Sequence, residues 1–234
     1  MTHGPGGSPS SEADTTSRTD MKGRMRMTQS TGYSKEDWAL VRRAAELAWE
    51  KHEGDYRKGS SVPYVSHVWS VAAIVMEQGG SPAQAAAALL HDTAEDAGGE
   101  KVLEEIRQAC GSEVSELVRA LSDSLVEDPT QKAPWRQRKE DYLAHLAGAS
   151  EAVGLVSAAD KLANARSMAR DFAEVGSALW ERFSTKSAAD QFWYYKSLIA
   201  IFEEHGTAPA LVDELRDTIA DLRRLSTPRS ADAR

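Results

Sequence analysis

From about residue 34 to residue 226, apolar positions recur at intervals of three and four, and runs alternating at period two are few. That pattern predicts packed amphipathic helices in place of strands. Ser34 caps a helix beginning KEDWALVRRAAELAWEKH, with Asp37 as the reciprocal cap. Trp38, Val41, Ala45, Ala48 and Trp49 share its expected apolar face. EGDYRKGSS reads as a loop, and VPYVSHVWSVAAIVMEQGG as a helix from about Tyr64 that ends at Gly79-Gly80. Ser81 then caps, and Pro82 opens, a third helix, SPAQAAAALLHDTAED. This helix is apolar nearly all round before His91, which predicts a central position with neighbours on several sides.

GGEKVLEEIRQACG is a short helix closed by Gly111, and SEVSELVRALSDSL a second one with Val114, Leu117, Val118 and Leu121 inward. A loop carrying Pro129 and Pro134 leads to a helix from about Trp135. EAVGLVSAADKLANARSMARDFAEVG reads as one long helix through Asp160, followed by SAADQFWYYKSLIAIFEEHG and APALVDELRDTIADLRRLS. The expectation is an all-α, single-domain helical bundle over residues 31–226. Residues 1–30 are rich in Gly, Ser, Thr, Pro and charge, which predicts a disordered leader and leaves Met21, Met25 and Met27 open as natural starts. Residues 227–234 read as a flexible tail.

The chain's 234 residues, 41% of them hydrophobic, suffice for one sizeable core. Its formal charge of -8 argues against nucleic acid as a partner, since backbone binding requires a positive surface. It leaves a small anionic substrate open, because a local basic pocket or a bound cation reverses the field. Cys110 is the lone cysteine, so no intramolecular disulfide forms, and it reads as an apolar filler near a helix end. No apolar run reaches the ~18 residues of a membrane span, and no secretory signal pattern is present. A cytoplasmic protein without a membrane partner is the expectation; no feature identifies an oligomeric state.

Candidate chemistry centres on His91-Asp92, which end the Ala-rich run and open the cluster HDTAED. Imidazole and carboxylate together suit a borderline divalent ion, and two neighbouring side chains at a helix end can diverge around one cation. Glu95 and Asp96 lie one turn beyond. Buried without cations, these groups are costly; the alternative is an exposed acidic helix end. His67, in the apolar context PYVSHVWSVA, is either a second imidazole for the same ion or a satisfied core histidine. Asp160 begins an otherwise apolar stretch and needs a partner if buried, and Asn164 follows it by one i,i+4 step into the same cleft. Arg166, turned around the helix, belongs to a pocket rim or a surface ion pair.

These residues resemble a known family, the histidine-aspartate (HD) metal phosphohydrolases, and within it the RelA/SpoT alarmone enzymes and their small stand-alone hydrolase relatives. HEGDYRKGSSVPYVSH, AAALLHDTAED and ADKLANAR carry the resemblance, in family order, from about Tyr33 to Phe172. The resemblance implies an HD helical bundle in which His67, His91, Asp92 and Asp160 hold the metal and Glu95 and Asp96 organise the attacking water. It further implies that Arg57, Lys58, Asn164 and Lys161 bind the substrate. The implied ion is Mn²⁺, with Fe²⁺, Co²⁺ or Zn²⁺ as alternatives. The chain departs from the family pattern at Val68, where a proline usually follows the ligand histidine, and in the segment Ser60-Ser61-Val62. Both departures bear on base selectivity more than on metal binding.

The implied activity is removal of the 3′-diphosphate of a guanosine tetra- or pentaphosphate, releasing GDP or GTP and pyrophosphate. An HD phosphohydrolase acting on another nucleotide or small phosphorylated metabolite is the first alternative, and a noncatalytic nucleotide-binding module the second. Trp180, Trp193, Tyr194 and Tyr195 have the spacing of core or dimer packing. The basic segment around Lys132, Arg136, Arg138 and Lys139 is either a solvated helix face or a phosphate-facing lid. His52 opens the basic-loop motif without counting as a ligand, and His145 and His205 receive no role.

Overall fold

The computed structural model describes Met1, residues 32–126 and residues 129–227, without the side chains of residues 96, 97 and 129. The leader expected over 1–30 and the tail over 227–234 lie, but for Met1 and Thr227, outside the described residues, as does the side chain of Asp96. Ten α-helices occur among the described residues: α1 (Lys35–Lys51), α2 (Val65–Glu77), α3 (Pro82–Leu90), α4 (Thr93–Ala97), α5 (Gly99–Cys110), α6 (Ser112–Leu121), α7 (Trp135–Leu146), α8 (Glu151–Val175), α9 (Ala188–Glu204) and α10 (Pro209–Ser226). Short 3-10 turns cover Pro129–Gln131 and Gly176–Arg182. Among the described residues no sheet forms, and the one β-bridge joins Tyr56 to Pro63 at the base of the 57–62 loop. The all-α bundle is therefore as expected.

Local chemistry sets the helix starts. Ser34 and Asp37 form the reciprocal cap of α1, and Ser81 with Gln84 does the same for α3, where Pro82 occupies the first turn. α3 is the hub: it packs against α1, α2, α6 and α8, and Ala85 through Leu90 are fully buried. Small alanine side chains let these neighbours approach on every side. α8 crosses the same core and touches α2, α3, α6, α9 and α10. Cys110 is buried at the end of α5 with a free thiol, matching its expected role as filler.

Two details differ from the sequence pattern. Trp38 and Trp49 are 53% and 56% exposed, so the buried seam of α1 is Val41, Ala44 and Ala48. α1 packs on the alanine-rich α3 through this seam of small and medium side chains, and Trp38 turns instead to the Tyr33 ring, 5.1 Å away. The expected third helix is also interrupted. α3 stops at Leu90 and α4 restarts at Thr93, whose hydroxyl donates to the Leu90 carbonyl at 2.6 Å. His91 and Asp92 occupy the break, where the backbone turns and two adjacent side chains can point to one place.

Candidate metal centre

Three elements bring the site together: the first turns of α2 supply His67, the α3–α4 break supplies His91 and Asp92, and mid-α8 supplies Asp160. His67, His91 and Asp160 are buried. Asp160 Oδ1 lies 3.2 Å from His67 Nε2 and 3.5 Å from His91 Nε2. Asp92 Oδ2 lies 3.0 Å from His91 Nε2 and 3.6 Å from His67 Nε2. Both Nε2 atoms are buried, and neither has a partner of hydrogen-bond geometry. Groups so close yet so misaligned point at a common centre, not at each other. Ligand atoms about 2.0–2.2 Å from one ion stand about 2.8–3.6 Å apart at right or tetrahedral angles, which spans the four separations. His67, His91 and Asp92 thus form a cluster able to coordinate a divalent metal ion, with Asp160 Oδ1 beside the two histidines.

The surroundings fix these groups. His91 Nδ1 faces the Ala88 carbonyl at 2.8 Å, which places a ring proton on Nδ1 and turns Nε2 to the centre. Tyr64 donates its hydroxyl to Asp92 Oδ2. Asn164 Nδ2 donates to Asp160 Oδ1 at 2.6 Å, and Lys161 Nζ to Asp160 Oδ2 at 2.5 Å. Burial works against charge on all of them. Even so, Asp92 and Asp160 hold His91 well above the ordinary histidine range. His91 and His67, with Lys161 beside Asp160, hold the two carboxyls well below theirs. A donor set of two imidazoles and a carboxylate fits a borderline divalent ion.

Above the centre opens a cavity of about 330 Å³, lined by all the described candidate residues apart from His67. Glu95 stands in its wall three residues beyond Asp92. Its Oε2 accepts from the Asp123 amide at 3.4 Å, and its Oε1 lies 3.8 Å from both Lys132 Nζ and Arg138 Nη1. Burial, reinforced by the Asp123 carboxyl and then Asp92, raises Glu95 to about 7. Asp123, although burial opposes its charge, is held at about 2, chiefly by Lys139 at 2.5 Å and also by Arg138 at 2.7 Å. Arg57 donates through Nη2 to Asn164 Oδ1 at 2.6 Å, so Asn164 bridges the basic loop and Asp160. Lys58 is exposed at the rim, without an ion-pair partner among the described residues.

The structure resolves several alternatives left open by the sequence. Arg138 and Lys139 line the cavity, so the basic segment is more than a solvated face; Arg136 is the outward member, its guanidinium 3.3 Å from the centre of the Trp193 ring. Tyr194 and Tyr195 are buried as packing residues and also form cavity wall, where burial pushes both phenols up. Arg166 makes a surface ion pair with Glu214 on α10 at 2.6 Å. Tyr64, Asp123 and Arg182 were not singled out as site residues by the sequence pattern. Tyr64 stood within the PY motif, whereas Asp123 sits just past a helix end and Arg182 in a 3-10 turn, where no periodicity marks a direction.

The HD-domain family model matches residues 44–188, which spans the basic loop, the α3–α4 break and the whole of α8. The chain belongs to the HD-domain family. Within the HD superfamily it is a phosphohydrolase related to the RelA/SpoT hydrolase domain and to MESH1-like alarmone hydrolases. The guanosine-3′,5′-bis(diphosphate) 3′-pyrophosphohydrolase MESH1 of Xenopus tropicalis is 36% identical over 137 residues, 57% of this chain and 72% of that protein. The bifunctional (p)ppGpp synthase/hydrolase RelA of Mycobacterium tuberculosis is 42% identical over 66 residues, 28% of this chain but 9% of the larger protein. The solved structure of a metazoan ortholog of SpoT, described as hydrolysing ppGpp, superposes with a TM-score of 0.64 at 26% identity, covering 80% of this chain and 97% of that one. The HD-domain chain therefore has a catalytic phosphohydrolase fold, and no helix among its described residues is long and apolar enough to cross a membrane.

Proposed function

We propose that the domain over residues 31–226 is a metal-dependent guanosine 3′,5′-bis(diphosphate) 3′-pyrophosphohydrolase, releasing GDP or GTP and pyrophosphate from the tetra- or pentaphosphate. The observation that carries this reading is the pair of buried, unpartnered Nε2 atoms converging with two carboxylate oxygens beneath a cation-walled cavity. The similarity to the Xenopus pyrophosphohydrolase supports the choice of substrate.

In this reading His67, His91, Asp92 and Asp160 hold Mn²⁺, with Fe²⁺, Co²⁺ or Zn²⁺ as alternatives. Such an ion supplies Lewis-acid polarisation of a phosphoryl oxygen and acidification of water. Glu95, raised to about 7, takes the proton of the attacking water, because a base titrating near the working pH is both available and strong enough. Asp96 is its companion by sequence pattern. The bond broken joins the ribose 3′ oxygen to phosphorus; the water oxygen joins that phosphorus, and the 3′ oxygen leaves with a proton. Lys161, Arg138 and Lys139 lie on the same cavity wall and offset the charge that accumulates on the phosphoryl oxygens. Arg57, planar and braced by Asn164, is placed to lie against a base or grip a phosphate, with Lys58 beside it. The ligand is thus a small anionic nucleotide in the cytoplasm.

An anaerobic, metal-reconstituted assay on guanosine 3′,5′-bis(diphosphate) tests the proposal. GDP and pyrophosphate should form, and both products should vanish in His91→Ala and Glu95→Ala. Absence of turnover by folded, metal-loaded wild type removes this substrate and directs the search to other phosphorylated metabolites.

A further inference from the structure

The cavity has a second end, away from the candidate metal centre. One face of α8 forms its floor: Asp160, Asn164, Met168 and Asp171 follow at steps of four, four and three, and all line the cavity. The basic loop runs beside this face. Arg57 is tied to α8 at Asn164, as described; two residues on, Gly59 lies beneath Arg182, whose Nη1 donates to Asp171 Oδ2 at 2.9 Å. Asp171 is eleven residues past Asp160, which is about 16 Å along a helix. The Arg182 stem rests directly on the loop backbone. A Cβ at Gly59 would stand 2.8 Å from Arg182 Cδ and Nε, and the φ of +69° there also favours glycine.

Arg182 is therefore held in place, although it belongs to an irregular segment, and its side chain is 20% exposed. A guanidinium has five N–H donors, and the ion pair with Asp171 uses one. Lys58 and Arg170 line the same end, and Arg170 Nε is 3.8 Å from Asp171. Three cations thus face one carboxylate here, whereas Asp92 and Asp160 make the other end carboxylate-rich. An elongated cavity with a candidate cation centre at one end and surplus positive charge at the other matches a ligand that is anionic at both ends.

We infer that Arg182, together with Lys58, forms a second anion subsite that takes the phosphate arm of the substrate lying farthest from the bond being cleaved. This rests on the phosphohydrolase reading above and adds to it a selectivity: Arg182 favours a nucleotide phosphorylated at both its 3′ and 5′ positions over one phosphorylated only at the 3′ position. A purely structural strap would differ. Its loss would disturb Arg57 and Lys58 whatever the substrate carried.

Two substrates separate these roles. Wild type, Arg182→Ala and Arg182→Lys are assayed on guanosine 3′,5′-bis(diphosphate) and on guanosine 3′-diphosphate, which lacks the 5′ arm. Removing the guanidinium should raise KM for the first about tenfold or more with kcat nearly unchanged, as expected for a charge-assisted contact. KM for the second should stay within about twofold. Arg182→Lys should recover part of the loss. Equal losses on both substrates, or none on either, overturn the subsite. If wild type cleaves neither compound, the proposed activity fails, and the subsite is judged by calorimetry with inorganic pyrophosphate in EDTA. Weaker binding to Arg182→Ala than to wild type supports it; equal or absent binding in both overturns it.

Discussion

The two ends of the α8 face are built on opposite principles. At the Asp160 end His67, His91 and Asp160 are buried, Asp92, Lys161 and Asn164 are half-buried, and the charges are compensated within a few ångströms. At the Asp171 end Arg182 and Asp171 are half-buried, Lys58 and Arg170 are exposed, and positive charge is in excess. Burial makes a fixed charge expensive unless its partner is in place, so the first end suits a rigid cation site and not a variable ligand. Partial exposure leaves cations hydrated and ready to exchange water for phosphate, so the second end suits recognition. Chemistry and selectivity thus share one helix face while differing in dielectric surroundings.

The largest effect expected is at Asp160. Replacing it with alanine removes the carboxylate that faces both histidines and is the partner of Lys161 and Asn164. Bound metal, measured by elemental analysis after gel filtration, should fall below stoichiometry, and turnover should drop by more than about a thousandfold. Circular dichroism should remain helical. A variant that keeps both its ion and its rate would erase the distinction between the two ends.

Glu95 gives the next largest change, and it separates the metal from proton transfer. Glu95→Gln keeps the shape of the side chain, so metal content should be unchanged while kcat falls about 10²–10⁴-fold, the range for a lost general base. As a base raised to about 7, Glu95 is ionised only above that pH, so kcat/KM should decline as pH drops below about 7. Burial is the first cause of this raised value and the Asp123 carboxyl the second. Asp123→Asn should therefore shift the acid limb of the profile to lower pH without restoring the ordinary carboxylate value. An unmoved limb would mean that Asp123 does not act on Glu95.

How much of this was legible beforehand depended on regularity. α3 was readable because Ser81-Pro82 fix its start and its alanines leave no polar face, which implied burial on all sides. HDTAED, DKLANAR and the RKG loop were readable because their members are close in sequence, and the i,i+4 relation of Asp160 and Asn164 held. Trp38 and Trp49 were misread, since spacing identifies a shared face but does not say how large a side chain the opposing helix admits. Asp123, Lys139 and Arg182 were not legible as partners. They meet through tertiary contacts, Asp123 with Lys139 and Gly59 with Arg182, that no local period encodes.

Between the two ends stands Asn164, which joins Arg57 to Asp160 at 2.6 Å on each side. Asn164→Ala should release Arg57 and leave Asp160 with Lys161. KM should rise roughly tenfold, the cost of about one charge-assisted hydrogen bond. Metal affinity should fall within the 10–100-fold range of a lost outer partner. An effect on metal alone would detach Arg57 from substrate binding and place Asn164 wholly at the Asp160 end.

The smallest effect expected supplies the control. Arg166 is a cation of α8 itself, between Asp160 and Asp171 in sequence, but it points to the opposite side and pairs with Glu214, each side chain 49% exposed. If only the number of positive charges around α8 mattered, Arg166→Ala would weaken substrate binding as Arg182→Ala does. If position on the cavity face matters, KM should stay within about twofold and stability should change by about 0–1 kcal/mol, the ordinary worth of an exposed ion pair. The two arginines are sixteen residues apart in sequence, and each makes one carboxylate pair. A difference between them on the doubly phosphorylated substrate therefore reports where the charge is, not how much of it there is. Raising ionic strength sharpens the contrast, since screening weakens both and leaves the geometric preference of the Arg182 fork in place.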